Sequence, residues 1–164
     1  MEKAALKEHR RHSTADKPFS YYISNIPEYF PNAPMHWHKE FELNVILEGE
    51  GDFVTGDIHF TAYKGDIVLT PPDMLHAVYQ HDDKRCVYDT LDLDGSMLGS
   101  RDNDRAADAF IAPLILGAYS IETHITPEHC YYSELLTTAE NMISAAKGDT
   151  PLLDMLIKSC LLYT

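Results

Sequence analysis

The chain has 164 residues, 45% of them hydrophobic and 24% charged, which suits one globular domain with a real core and excludes global disorder and collagen-like repeats. No run approaches the roughly 18 consecutive apolar residues of a membrane helix, and no apolar stretch follows the basic opening MEKAALKEHRRHS, so a cytoplasmic protein is expected. Thirteen Lys and Arg stand against 26 Asp and Glu, and four of the cations fall in the first eleven residues; so acidic a surface repels phosphate backbones, and this stretch of chain is not expected to bind nucleic acid.

Residues 1–17 read as an N-terminal tail or arm, with Lys7, Arg10 and Arg11 solvated. From Phe19 to about Leu93 the chain is written in short β-branched and aromatic runs. Turn signals separate them at Asn32 to Pro34, Glu48-Gly49-Glu50-Gly51, Thr55-Gly56-Asp57, Lys64-Gly65-Asp66 and Pro71-Pro72-Asp73. That spacing predicts a sandwich or barrel. In FELNVILEG, residues Phe41, Leu43, Val45 and Leu47 share one strand face and Glu40, Glu42, Asn44 and Glu48 the other, interrupted by Ile46. After Leu93 a polar Gly/Ser/Asp-rich segment reads as a long loop, with a helical turn near Arg105 to Phe110.

The period changes at Thr126-Pro127, where an N-cap residue followed by Pro at N1 predicts a helix carrying Leu135, Leu136, Ala139, Met142, Ile143 and Ala146, closed by Lys147-Gly148. Thr150-Pro151 opens a second helix by the same device, with Leu153, Leu156, Ile157, Cys160 and Leu161 in its stripe. That stripe still runs at Thr164, so the native chain is expected to continue. The boundaries are thus 1–17, a barrel over 18–125 and a helical hairpin over 126–164. Cys86, Cys130 and Cys160, set among apolar neighbours with no metal-binding or redox spacing, read as reduced core thiols.

The chemically dense segment is His36-Trp37-His38-Lys39-Glu40-Phe41-Glu42. In an extended strand, residues 36, 38 and 42 project from one face, and two imidazoles with a carboxylate are borderline N/O ligands for Fe, Ni, Cu, Mn or Zn.

With six residues and Gly49 after Glu42, this segment resembles the first motif of the cupin superfamily, H-x-H-x3-E-x6-G. The second motif, G-x5-P-x-G-x2-H-x3-N, is met by Gly65, Pro71 and His76, with Asp73 in place of Gly and Gln80 in place of Asn. Carried over residue by residue, His36, His38, Glu42 and His76 match the four cupin metal ligands. The resemblance implies a mainly β chain, a cupin-like antiparallel jelly-roll barrel followed by a C-terminal α-helical hairpin. It also implies that the even-numbered polar face of the Glu42 strand points into the lumen, while helices or a second subunit cover the apolar face.

The wording WHKEFELNVILEGEG, the GDIVLTPPDMLH turn and two amphipathic helices are similar to the N-terminal sensing half of AraC-type transcription regulators. That resemblance implies a barrel that binds a small effector, helices that dimerise, and a helix-turn-helix portion beyond Thr164 that binds DNA in the full-length protein. It implies no catalytic residue.

Two readings of the histidines stand side by side: a divalent transition metal (Zn, Ni, Fe or Mn) held by His36, His38, Glu42 and His76, or polar lumen residues bonded to one another. Asn44, Tyr88, Thr90, Gln80, Trp37, Phe53 and Tyr22 are the effector-pocket candidates, with ordinary packing as the plainer role for each. Leu135, Leu136, Met142, Ile143, Leu153, Leu156, Ile157, Cys160 and Leu161 form a homodimer interface, or else cap the barrel. His9, His12, His59, His81, His124 and His129 read as surface or capping residues. A stand-alone metal-dependent cupin enzyme, a dioxygenase or isomerase, is the alternative function. Sugars, small acids and aromatic molecules all remain open as effectors.

Overall fold

A computed structural model describes residues 2–14, 16–97, 109, 112–116 and 118–148. Its frame is one long strand, β3 (Phe41–Thr55), which is shared between two sheets. The first half of β3 lies between β7 (Cys86–Leu93) and β5 (Ile67–Thr70), with β1 (Phe19–Ile26) beyond β7 and β8 (His124–Ile125) beyond β5. Its second half lies between β4 (Ile58–Tyr63) and β6 (His76–Gln80), with β2 (Asn32–His36) beyond β6. Every pairing is antiparallel, and the two sheets face each other as an antiparallel β-barrel of the jelly-roll kind.

The two faces of β3 build two cores. Odd-numbered Leu43 and Val45 pack outside the barrel with Phe19, Leu91, Leu93 and Ile125, under α2 (Tyr132–Lys147). Even-numbered Ile46 turns inward onto Ile26, Phe53, Val68, Val78 and Tyr88, closing one end of the lumen with apolar side chains. Ile46, which breaks the polar run of its face in the sequence, is therefore the floor of the barrel. Leu47 differs from its predicted place. The pairing of β3 with β7 slips by a residue between Ile46 and Glu48, and this bulge leaves Leu47 exposed.

One turn shows how the second motif is kept in spite of Asp73, and another why the first motif ends in glycine. Asp73 occupies the left-handed region at φ 59°, which Asp tolerates where most side chains do not, and its N–H donates to the His38 carbonyl at 2.8 Å. Gly49, at φ 74°, has the Arg85 carbonyl where a Cβ would stand. A side chain there would push β3 away from the start of β7.

The helix opens later than Thr126-Pro127 predicts. The Thr126 carbonyl accepts the His129 N–H and the Thr126 N–H donates to His129 Nδ1, both at 3.0 Å. This closed turn uses the groups that would have begun a helix, and α2 starts at Tyr132 after Tyr131, which lends it no side-chain cap. Ala139, Met142 and Ile143 are buried against the barrel, and each large side chain so buried stabilises the docking by about 1.5–3 kcal/mol. Met142 and Ile143 are thus spent on the barrel, contrary to their expected place in a dimer interface, and Leu135 and Leu136 lean on the same core. At the other end of α2, Lys147 Nζ donates to Asp89 Oδ2 at 3.0 Å, and the Tyr21 hydroxyl donates to Asp89 Oδ1 at 2.6 Å. A short helix, α1 (Ala112–Ile115), precedes β8. The expected second helix, with Leu153, Leu156, Ile157, Cys160 and Leu161, and the helical turn near Arg105 to Phe110 lie outside the described residues. No described helix is long and apolar enough to cross a membrane.

Candidate functional site

His36, His38 and Glu42 do not come from one continuous strand. β2 ends at His36, the chain bends through Trp37 to Glu40, and β3 begins at Phe41. β2 pairs with β6 in one sheet while this end of β3 pairs with β7 in the other, so the segment crosses from sheet to sheet. His36 stands directly opposite His76 in the β2–β6 ladder, their rings 4.1 Å apart. His38 sits at the bend, and Glu42 reaches in from the facing sheet. One ligand-capable atom from each of these four residues lies within 4.8 Å of all the others.

The hydrogen bonds leave these atoms poised for a cation. His36 Nδ1 donates to the Pro34 carbonyl at 2.7 Å and His76 Nδ1 donates to the Met74 carbonyl at 2.9 Å. Both rings are thereby turned so that Nε2 presents its lone pair, the outer-shell arrangement usual for metal-ligating histidines. His76 Nε2 is buried without a hydrogen-bond partner among the described residues. Glu42 Oε2 lies 3.4 Å from both His76 Nε2 and His38 Nε2, which is long for a charged hydrogen bond. It is the separation of neighbouring ligands around a four-coordinate ion bonded at about 2.0–2.1 Å. The donor set fits a divalent transition metal.

A second acid raises the demand for positive charge. Asp92 stands directly opposite Glu42 on β7 and is 1% exposed, with Oδ1 4.0 Å from His38 Nε2 and without a hydrogen-bond partner among the described residues. Burial together with the charge of Glu42 pushes Asp92 up. Burial would also push Glu42 up, but His76 and His38 outweigh it and hold this carboxyl well below the usual carboxylate range. Burial lowers His36, helped by the nearby His76. His76 is itself raised, because Glu42 overcomes its burial.

His12 is no surface residue. The N-terminal segment folds back over the barrel mouth, where His12 is buried between Asp92 Oδ2 at 2.6 Å and Glu8 Oε2 at 2.8 Å. Burial alone would lower it, but these two acids push it up to about 11. Its ring lies 4.8 Å from that of His38, and Glu8, His12 and His38 form a second group of ligand-capable atoms within 4.8 Å of one another. Lys7, Arg10 and Arg11 are exposed, as expected, but the opening that carries them is tied down. Trp37 N–H donates to the Leu6 carbonyl at 3.1 Å, Glu8 N–H to the Trp37 carbonyl at 3.0 Å, and Ser13 Oγ to Glu40 Oε1 at 2.6 Å.

A cavity of about 430 Å³ opens beside the cluster, lined by His36, Glu42, His76 and Asp92 together with Tyr22, Phe30, Tyr88 and Thr90 and, from the N-terminal segment, Glu8, Arg10 and His12. Three of the seven effector-pocket candidates, Tyr22, Tyr88 and Thr90, are in its wall. The other four are elsewhere. Asn44 is bonded behind the wall to Glu42 and Thr90; Phe53 belongs to the apolar floor. Trp37 lies outside under Lys3 and Lys7, with its Nε1 donating to the Lys3 carbonyl, and Gln80 donates to the Lys84 carbonyl. Sequence reasoning missed Asp92, whose even spacing from Tyr88 and Thr90 was the signal. It also missed Glu8, Arg10 and His12, for which the sequence held none. Of the remaining histidines, His9 and His59 are exposed, His81 pairs with Asp52 and His129 closes its turn; His124, expected at the surface, is instead part-buried in β8, 2.7 Å from buried Asp66 and stacked on Phe60.

The family model described as "AraC-like ligand binding domain" matches residues 18–163. An uncharacterized HTH-type transcriptional regulator, YdeC of Bacillus subtilis (strain 168), is 27% identical over 89 residues, covering 54% of this chain; the chain spans 31% of that relative's length. Among solved structures, a Cupin 2 conserved barrel domain protein from Salinispora arenicola is 21% identical, with a TM-score of 0.43, covering 54% of this chain and 73% of that one. A predicted oxalate decarboxylase from Thermotoga maritima is also 21% identical, with a TM-score of 0.42, covering 46% of this chain and 67% of that one.

Proposed function

Because the chain belongs to the family of AraC-like ligand binding domains, we propose that it senses a small molecule inside the barrel and passes that state to a DNA-binding portion of a longer transcription regulator. One observation carries this reading. A cavity of about 430 Å³ sits in the barrel mouth, one side walled by Tyr22, Phe30, Val78 and Tyr88 and the other by ionisable groups, among them His12, His36, Glu42 and His76, and a concave site with apolar walls and convergent polar groups suits a small-molecule effector. A metal held by His36, His38, Glu42 and His76 would supply the chamber with a fixed positive charge for orienting a ligand. Effector control needs only that the ligand bind one state of the domain better than another.

The test is a thermal-shift screen of sugars, small acids and aromatic molecules. A genuine effector raises the melting temperature saturably, and Tyr22→Ala and Thr90→Val each weaken it at least about tenfold, the loss of one good wall contact. A screen without hits, or hits indifferent to both variants, overturns the proposal. Dimerisation belongs to the same reading and is carried by the expected second helix, since Met142 and Ile143 are taken up by the barrel. Sedimentation at high micromolar concentration reads it directly, and a monomer there defeats it.

The complete set of four ligand-capable residues beside a cavity favours one other reading, a metal-dependent enzyme such as a dioxygenase or isomerase. Metal-loaded protein that turns over a bound ligand or consumes oxygen would establish it in place of a pure sensor.

A further inference from the structure

The cavity already contains a carboxylate. Glu8 reaches into it from the N-terminal segment, with Oε2 accepting from His12 Nε2 at 2.8 Å and lying 3.6 Å from His36 Nε2. The wall also holds two further acids, Glu42 and Asp92, and what seats Glu8 among them is its bond to His12. His12 is braced from behind by Asp92, and Arg10, in the same wall, lies over the Tyr22 ring at 4.2 Å.

The segment that delivers Glu8 is lightly held. Of residues 2–14 only His12 is buried. The rest is attached by polar contacts at the surface: the Leu6 and Glu8 backbone bonds to Trp37, the Trp37 Nε1 bond to the Lys3 carbonyl with Lys3 and Lys7 over that ring, the Ser13 bonds to Glu40 and Asp94, and the Ser20 hydroxyl donating to the His12 carbonyl. A segment with so little apolar burial opens at low free energy.

We propose that the Glu8 carboxylate is a tethered stand-in for the carboxylate of the effector. On this proposal the cavity takes a small organic acid, whose acid group displaces Glu8 and releases residues 2–11. The inference rests on the reading of the cavity as an effector chamber and adds the chemical class of its ligand. A site that already binds one carboxylate is organised for another. A side chain on a short tether competes at an effective concentration on the order of millimolar. A free acid therefore wins only by adding contacts that Glu8 lacks, and the rings of Tyr22, Phe30 and Tyr88 select an acid with an apolar or aromatic body.

The experiment compares acetate, benzoate and the neutral isostere benzamide on the wild-type chain and on Glu8→Gln, by saturation-transfer NMR for affinity and by limited trypsin cleavage after Arg10 and Arg11. The expected result is that benzoate binds better than benzamide and speeds cleavage of the wild-type segment. Glu8→Gln binds benzoate about tenfold tighter, the gain expected when the open state is about a tenth of the wild-type population, and is cut quickly without any ligand. Unchanged acid affinity in Glu8→Gln, or cleavage indifferent to benzoate, overturns the proposal. Binding of benzamide or of a neutral sugar in the cavity, with neither acid bound, also overturns it while leaving the effector chamber standing. If no probe binds either protein, this inference fails, and the chamber reading is then judged by the wider screen.

Discussion

Thr90 Oγ1 donates to Asn44 Oδ1 at 2.7 Å, and Asn44 in turn donates from Nδ2 to Glu42 Oε1 at 2.7 Å. The relay runs across the β3–β7 ladder, where Asn44 and Thr90 are direct partners. It occupies one oxygen of Glu42 and leaves Oε2 facing His38 and His76. Asn44 is 1% exposed, and its bond holds the Glu42 carboxylate in this orientation. Asn44→Ala is expected to lower divalent-metal affinity about 10- to 100-fold, the usual effect of losing an outer-shell partner, with the far-ultraviolet circular dichroism unchanged. Calorimetry with Zn²⁺ and Mn²⁺ reads it, and unaltered affinity would show that Glu42 needs no such support.

Metal binding itself makes a sharper expectation. Wild-type protein should take up about one Zn²⁺, Ni²⁺, Fe²⁺ or Mn²⁺ per chain, and His76→Ala should not, since its unpartnered Nε2 is lost. At a hundred times Kd, binding to the folded state alone adds about 2.7 kcal/mol, or about 5–10 °C in melting temperature for a domain of this size. A chelator should reverse the shift in the wild type and do nothing to His76→Ala. Equal melting of both proteins with and without metal would leave the histidines as hydrogen-bonded lumen residues.

The docking of α2 rests on packing more than on charge. Met142→Ala removes a side chain buried in the outer core and should destabilise by about 2–5 kcal/mol. Lys147→Met leaves buried Asp89 with the Tyr21 hydroxyl, but Lys147 is half exposed and its charge is screened, so about 1 kcal/mol is expected. Urea melts of the two variants should keep that order, and the reverse order would mean that the ion pair anchors the helix.

Burial pushes the Cys86 thiol up to about 12 from an ordinary 9, whereas Cys130, expected in the core, is exposed in the turn before α2. In a Cys160→Ser background at pH 8, iodoacetamide should alkylate Cys130 in the native protein and Cys86 only after unfolding, because the reactive form is the thiolate. The same shift has a definite sign. The unfolded thiol gives up its proton first, so the stability due to Cys86 is fully present below pH 9 and is lost as pH rises towards 12. Peptide mapping by mass spectrometry checks the first expectation, and rapid native labelling of Cys86 would place it at the surface.

The sequence by itself determined a strand-rich sandwich or barrel, because short β-branched runs between turn signals bury their apolar faces in that way. The closed barrel and the inward even-numbered face rested on the resemblance to cupins, since FELNVILEG and CVYDTLDL are buried on both faces. The sequence also named His36, His38, Glu42 and His76, whose meeting in space rests on motif spacing that survives Asp73 because Asp accepts the left-handed turn. The bulge that exposes Leu47 and the turn that delays α2 to Tyr132 were not legible. Each is decided by a few backbone hydrogen bonds that compete with an equally good local pattern. Only the tertiary structure brought Asp92 opposite Glu42 and laid Glu8, Arg10 and His12 across the mouth. Those residues are far apart in the chain and have no periodicity in common. What joins them is charge: two acids buried side by side require cations, and the fold draws them from wherever the chain can reach.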